Sequence, residues 1–219
     1  MIPVVSLYSS FYQRGFDQVI HDICIQELGV IMCVDRAGIV GNDGETHQGI
    51  LDLSFFNIVP NLNIMASKDF RELEDMLEFA TKLNKPIVIR YPRGGEESTR
   101  FDKHEKIELG KAELLKQGTD ITILAIGKMV SRGMELANKL EEEGISAELV
   151  NVRFLKPIDI ETIIPSIRKT RNVITIEDNI LKGGLATTIK ELIVDNNIEV
   201  SMKNFGYPNT FVKHGDTAE

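Results

Sequence analysis

An α/β chain built on largely parallel sheets is the fold class this sequence predicts. Short apolar runs alternate with stretches of helical period along its whole length. Hydrophobic residues make up 42% and charged residues 26%, the balance of an ordinary globular protein. A length of 219 residues allows one large domain or two small ones.

Ile2–Tyr8 reads as the first strand. A helix is expected over Phe11–Glu27, where Phe16, Val19, Ile20, Ile23 and Cys24 repeat at helical spacing. Val30–Asp35 is a strand apolar enough to be buried on both faces. Leu62–Met65 is a short strand, and Asp69 with Glu72 is a capping pair opening a helix over Phe70–Leu83. Pro86–Arg90 returns as a strand. The polar stretch from Gly94 to Glu108 reads as a linker between domains. Beyond it come strand Ile121–Ile126, helix Val130–Glu143 stopped by Gly144, and strand Ala147–Val152. A helix around Asp159–Arg168, strand Asn172–Glu177, helix Leu185–Asp195 and strand Ile198–Asn204 complete the pattern. Met1 leads at once into a core strand, and Asp216, Thr217 and Glu219 resemble the first turn of another helix. The expectation is a piece of something longer.

Charge narrows the partners. A net charge of −8 would repel nucleic acid and anionic membranes unless a basic patch overrode it, and no such run of Lys and Arg occurs. Gly29–Val34 and Ile121–Ile126 are far shorter than the ~20 residues that span a bilayer. With no basic-then-apolar leader, the expected location is the cytoplasm. Cys24 and Cys33 sit in apolar surroundings and read as reduced core thiols.

The first sixty residues hold seven carboxylates but only two cationic side chains, Arg14 and Arg36. Arg36 follows a strand directly, and open α/β sheets bind ligands beyond the carboxyl ends of their strands. The segment after it carries Gly38, Gly41, Gly44 and Gly49, with Asp43, Glu45, Thr46 and His47 among them. Such glycines let backbone approach a ligand, while Asp and His supply a carboxylate and a group titrating near neutrality. A solvated loop with ordinary turn glycines is the alternative. Arg90-Tyr-Pro-Arg93-Gly94 again places guanidinium groups at a strand end. Arg suits phosphate or carboxylate through its planar fork, although a salt-bridge cluster would use the same residues. Arg36 and Arg93 together suggest an anionic substrate. Tyr8 and Phe11 could stack on a flat heterocycle or merely cap a core. Gly183-Gly184 reads as a helix-start anion site or as a plain turn. His21, His104 and His214 have no metal-ligand companions in sequence, so no metal site is predicted.

These motifs together are recognisable. Asp35-Arg-Ala-Gly-Ile-Val-Gly-x-Asp-Gly-x-Thr-His-Gln-Gly49 resembles the substrate loop of the 1-deoxy-D-xylulose 5-phosphate synthases, transketolase-like thiamin diphosphate enzymes. The Tyr8-Ser-x-Phe11-x-Gln-Arg14 turn, Arg90-Tyr-Pro-Arg-Gly94, Val152-Arg-Phe-x-Lys-Pro157 and Glu177…Gly183-Gly184 match the same family in order. Transketolase proper would carry a serine where Arg36 stands and a proline where Gly49 stands. The beta subunits of 2-oxo acid dehydrogenases lack the Asp–Gly–x–Thr–His run.

The resemblance implies a truncated pyrimidine-binding parallel-sheet domain over 1–95, a linker and lead-in over 96–118, and a transketolase C-terminal α/β domain over 119–219. It implies condensation of pyruvate with glyceraldehyde 3-phosphate, with loss of carbon dioxide, at the start of an isoprenoid route. Phe11 would stack on the cofactor's aminopyrimidine, with Tyr8 and Arg14 lining the pocket for cofactor and substrate. Arg36 and Arg93 would grip the aldehyde's phosphate. Asp43 would hydrogen-bond the acceptor hydroxyl, and His47 would exchange a proton with the forming alkoxide. The family's Mg²⁺ and diphosphate site and its catalytic Glu belong to an N-terminal domain that nothing here matches. The expectation is therefore a fragment of a homodimeric enzyme, inactive alone. The alternatives are a non-catalytic partner-binding subunit of a split thiamin enzyme, or a transketolase or 2-oxo acid dehydrogenase beta-type chain.

Overall fold

The computed structural model describes residues 1–95, 99–101 and 104–215. In chain order the strands are β1 Val4–Tyr8, β2 Ile31–Ala37, β3 Asn63–Ala66, β4 Ile87–Pro92 and β5 Glu113–Lys116. They continue as β6 Ile121–Ala125, β7 Ala147–Asn151, β8 Phe154–Lys156, β9 Asn172–Ile180 and β10 Ser201–Tyr207. The helices are α1 Tyr12–Gln18, α2 Asp52–Asn57, α3 Phe70–Leu83, α4 Met129–Glu142, α5 Ile160–Thr170 and α6 Leu185–Asp195.

Two five-stranded sheets result, each mostly parallel. The first runs β1-β2-β4-β3-β8, with only β8 antiparallel; the second runs β10-β9-β6-β7-β5, with only β5 antiparallel. The apolar runs behave as their composition demands, since Ile31–Val34 and Ile87–Ile89 are buried on both faces of the first sheet. Helix α3 starts where predicted. The Asp69 carboxylate accepts from the Glu72 backbone N–H at 2.7 Å, and Met76 and Ala80 face inward. Asp159 caps α5 in the same way, through Thr162 N–H at 3.1 Å. One core cluster runs from Met32, Val34 and Phe56 to Leu124, Val150 and Leu155, so the sheets share apolar packing.

Several expectations need correction. The helix expected over Phe11–Glu27 opens as a 3₁₀ turn at Ser9–Phe11, continues as α1 and finishes as a π turn over Val19–Cys24. The predicted inward face survives: Val19 and Cys24 are buried, with Phe16, Ile20 and Ile23 packed beside them. Helix α2 and strands β5 and β8 are additions to the elements the sequence predicts. Strand β5 lies inside the 96–118 stretch and pairs with β7. Strand β8 follows β7 but joins the first sheet, pairing with β3 at Met65 and Ile64. A three-residue strand has too few residues to show a period of two. Strand β10 begins three residues later than expected. Residues 96–98 and 102–103 of the linker, and the acidic turn at Asp216–Glu219, lie outside the described residues.

Candidate acceptor and cofactor site

The glycine-rich segment is a loop closed at its neck. Gly38 and Gly49 exchange both backbone hydrogen bonds at 2.7 Å. Inside the loop, Gln48 Oε1 accepts from Val40 N–H at 2.8 Å, and its amide donates to the carbonyls of Gly41 and Lys213. Gly49 is required by contact: a Cβ there would lie 2.4 Å from the Arg36 carbonyl oxygen and 2.7 Å from Ser9 Oγ. Gly38, at φ +81°, has no room either, because a Cβ would meet Asp178 Oδ2 at 2.5 Å. The loop is thus wedged between the first helical turn and the end of β9.

Arg36 occupies the left-handed region at φ 56°, and the β2–β4 register shifts between Val34 and Ala37. A bulge of this kind re-aims a side chain. The Arg36 guanidinium lies over the Tyr8 ring, 4.0 Å from its centroid, and Nη1 donates to Asp43 Oδ2. Arg93, just beyond the neighbouring strand β4, pairs with the other oxygen, Oδ1, at 2.7 Å. Both arginines therefore converge on one carboxylate. Burial acts to raise the Asp43 pKa; the Arg93 hydrogen bond and the charges of Arg93, Arg36 and His47 outweigh it and hold it below the ordinary value.

Above this cluster, Tyr8, Phe11 and His47 form an aromatic group. Ring centroids are 5.3 Å apart for Tyr8–Phe11 and for Phe11–His47, and 6.4 Å for Tyr8–His47. Thr46 Oγ1 lies 2.9 Å from His47 Nδ1, fixing that ring. Phe11 keeps 43% of its surface exposed. An open aromatic face at a strand end fits a flat aminopyrimidine. Among the described residues, no group of three His, Cys, Asp or Glu side chains is assembled that could hold a metal ion. Six of the seven predicted site residues are thus gathered in one place. Arg14 is the exception: it is exposed on α1 and has no hydrogen bond or ion pair with the others.

Arg90 has a different job from its neighbour Arg93. It is buried; Nε donates to Asp52 at 2.7 Å, Nη1 to Asp178 Oδ1, and Nη2 to the Asp178 carbonyl at 3.0 Å. Burial opposes the Arg90 charge, but Asp178 and Asp52 reverse that and raise its pKa. It is a bolt between β4, α2 and β9, and cannot reach a ligand. A second bolt joins the halves where Arg153 and Lys68 meet Glu72 and Glu113, all buried, at 2.7–3.1 Å. The Gly183-Gly184 turn does hold an anion, but an internal one. Glu177 accepts from the Leu185 and Ala186 N–H groups at 2.8 Å, and a Cβ on Gly184 would strike its Oε2 at 2.0 Å. Burial pushes the Glu177 carboxyl up to about 7, against those hydrogen bonds. The roles of Gln48 and Asp178 escaped the sequence reading, because neither has a local signature.

Comparison with known proteins bears on both halves. The family described as transketolase, pyrimidine binding domain, matches residues 1–95, and transketolase, C-terminal domain, matches residues 110–219. The 1-deoxy-D-xylulose-5-phosphate synthase of Desulfotalea psychrophila is 48% identical across 98% of this chain. Those of Caldanaerobacter subterraneus subsp. tengcongensis and Heliobacterium modesticaldum are 44% identical across 98% and 99%. The chain spans only about a third, 34%, of the length of each. Among solved structures, a split gene transketolase described as an inactive beta4 tetramer superposes with TM-score 0.87 at 31% identity, covering 96% of this chain and 68% of that one. A Pichia stipitis transketolase mutant shares the fold, with TM-score 0.75 at 19% identity, covering 97% of this chain and 30% of that one. In sequence, in both domain matches and in fold, this chain belongs to the transketolase family of thiamin-dependent enzymes.

Proposed function

We propose that this chain carries the acceptor-binding and pyrimidine-facing half of a 1-deoxy-D-xylulose 5-phosphate synthase site. One observation carries the reading: Arg36 and Arg93, from adjacent strands, point their guanidinium groups at a single carboxylate beneath an open aromatic face. A phosphate dianion suits two convergent planar forks better than one carboxylate does. The glyceraldehyde 3-phosphate group binds there by displacing Asp43. The freed Asp43 then accepts the hydrogen bond of the aldehyde's adjacent hydroxyl. His47, held by Thr46, exchanges the proton at the acceptor oxygen that becomes an alkoxide. Thiamin diphosphate, when bound, supplies the carbanion chemistry that joins pyruvate to the acceptor with loss of carbon dioxide. Phe11 and Tyr8 position its aminopyrimidine by stacking. Arg14 lines the approach from α1. The product feeds isoprenoid, thiamin and pyridoxal precursors, in the cytoplasm, and the working assembly is a homodimer completed by an N-terminal domain with the Mg²⁺ site.

Alone, the chain should not turn over pyruvate, because by family resemblance the cofactor's diphosphate site and the catalytic Glu belong to an N-terminal domain that its motifs do not match. A net charge of −8 opposes that polyanion further. The test is calorimetric titration with thiamin diphosphate and Mg²⁺, followed by an assay for carbon dioxide release, with and without a companion chain supplying the first two-thirds of a relative. Release only with the companion supports the reading, and steady release by the chain alone defeats it. The likeness to the split gene transketolase favours a second reading, a non-catalytic partner-binding subunit of a split thiamin enzyme. Binding of the companion without any turnover would select it.

A further inference from the structure

A small cleft opens beside Arg93. Ser67 and Lys68 border it after β3, Tyr91 and Arg93 at the end of β4, and Lys128 after β6. It thus lies at the carboxyl ends of strands from both sheets, where α/β folds place ligands. Its volume is about 80 Å³, the scale of one small group.

Lys128 is the unexplained member. Its side chain is only 20% exposed, and among the described residues it makes no side-chain hydrogen bond. Its nearest charge is Asp178 Oδ2 at 3.8 Å, beyond hydrogen-bonding range. That oxygen is itself buried without a hydrogen-bond partner, because Arg90 uses Oδ1 and the carbonyl. An ammonium has three donors, and among the described residues none of these meets a protein acceptor within hydrogen-bonding range. The ammonium also lies against the neck of the glycine loop, 3.4 Å from where a Gly38 Cβ would sit. Helix α4 adds to the positive field, since Lys128 is its N-cap and no side chain caps that end. Neutralising Asp178 accounts for the charge of Lys128 but gives it no hydrogen bond to the protein.

We infer that Lys128 and Arg93 together form an anion subsite for a phosphate monoester, with the second sheet contributing a cation to acceptor recognition. The inference rests on the proposed function in taking the acceptor's phosphate as the occupant. Lys128 is a specificity-determining residue here, bringing its charge to the cleft from the second sheet.

The experiment is titration of the full chain with inorganic phosphate and with glycerol 3-phosphate, followed by calorimetry and by NMR of the lysine side chains. Both anions should bind, the monoester at least as tightly. Lys128→Met should weaken binding about tenfold, and Lys128→Arg should restore it to within about threefold. In the unmodified chain the Lys128 Hε resonances should shift on titration, a readout that does not depend on any variant folding. Loss of binding in Arg93→Met with none in Lys128→Met, and no Lys128 shift, overturns the inference while leaving the role of Arg93 intact. No phosphate binding by the unmodified chain overturns both. Binding of inorganic phosphate with exclusion of the monoester overturns the acceptor as occupant.

Discussion

Arg90 and Arg93 stand three residues apart in one motif, yet the structure separates their consequences. Arg90→Met removes a guanidinium that is 2% exposed and satisfies two carboxylates, Asp52 and Asp178, both buried. Methionine fills much of the volume, so the loss is mainly that of leaving two charges unpaired in a dry interior. Breaking a buried ion pair from one side costs about 3–5 kcal/mol. With a urea dependence of about 3 kcal/mol per molar, the upper end for a small protein, the unfolding midpoint should fall by roughly 1–2 M at pH 7.5. Burial already raises the Asp52 pKa, and Arg90 is what pulls it back. Without Arg90 it rises further, so the deficit should shrink as the solution is acidified and Asp52 takes up a proton. Adding Asp178→Asn to Arg90→Met should recover part of the loss, because the two share one contact. Arg93→Met, half exposed at the rim, should leave the midpoint within its scatter. The assay is equilibrium urea unfolding followed by circular dichroism at pH 5.5 and 7.5. Equal midpoints for Arg90→Met and Arg93→Met, or strict additivity of the double variant, would refute the division of roles.

In an enzyme completed around this chain, Arg93→Ala should raise the acceptor KM at least tenfold, as loss of a charge-assisted contact to phosphate worth roughly 1.5–3 kcal/mol requires. Pyruvate KM should not change, and a loss confined to pyruvate would contradict the assignment. Glu177 has a folded pKa near 7, raised above its unfolded value of 4.5. Its stabilising term is complete below pH 4.5 and is lost as pH rises through about 7, so Glu177→Gln should flatten the decline in urea midpoint between pH 5 and 7.5. Gly49→Ala should lower stability by about 1–3 kcal/mol through overpacking against Arg36 and Ser9. Gly95→Ala, with no described residue within 4 Å of its added Cβ, should melt like the parent chain.

What the sequence determined on its own was local. Alternating apolar runs and helical periods marked most strands and helices, because burial on a strand or helix face writes a repeat into neighbouring residues. Glycines among Asp43, Thr46 and His47 marked the loop, since only close-packed backbone needs so many. Scarce cations at strand ends marked Arg36 and Arg93, which lie on β2 and just after its neighbour β4, not at opposite edges of the sheet. Tertiary structure decided everything that depends on partners distant in the chain. Arg90 became a buried bolt because Asp178 lies 88 residues away along the chain, a separation no motif encodes. The Gly183-Gly184 turn was given an anion by Glu177, which takes the Leu185 and Ala186 amides. Strand β8 crossed to the first sheet because a vacant edge of β3 was there to receive it. Asp43 was claimed by both arginines at once, which only the folded loop could arrange. Periodicity records which way a residue faces; it does not record which charge it will meet, and in this chain the meeting sets the role.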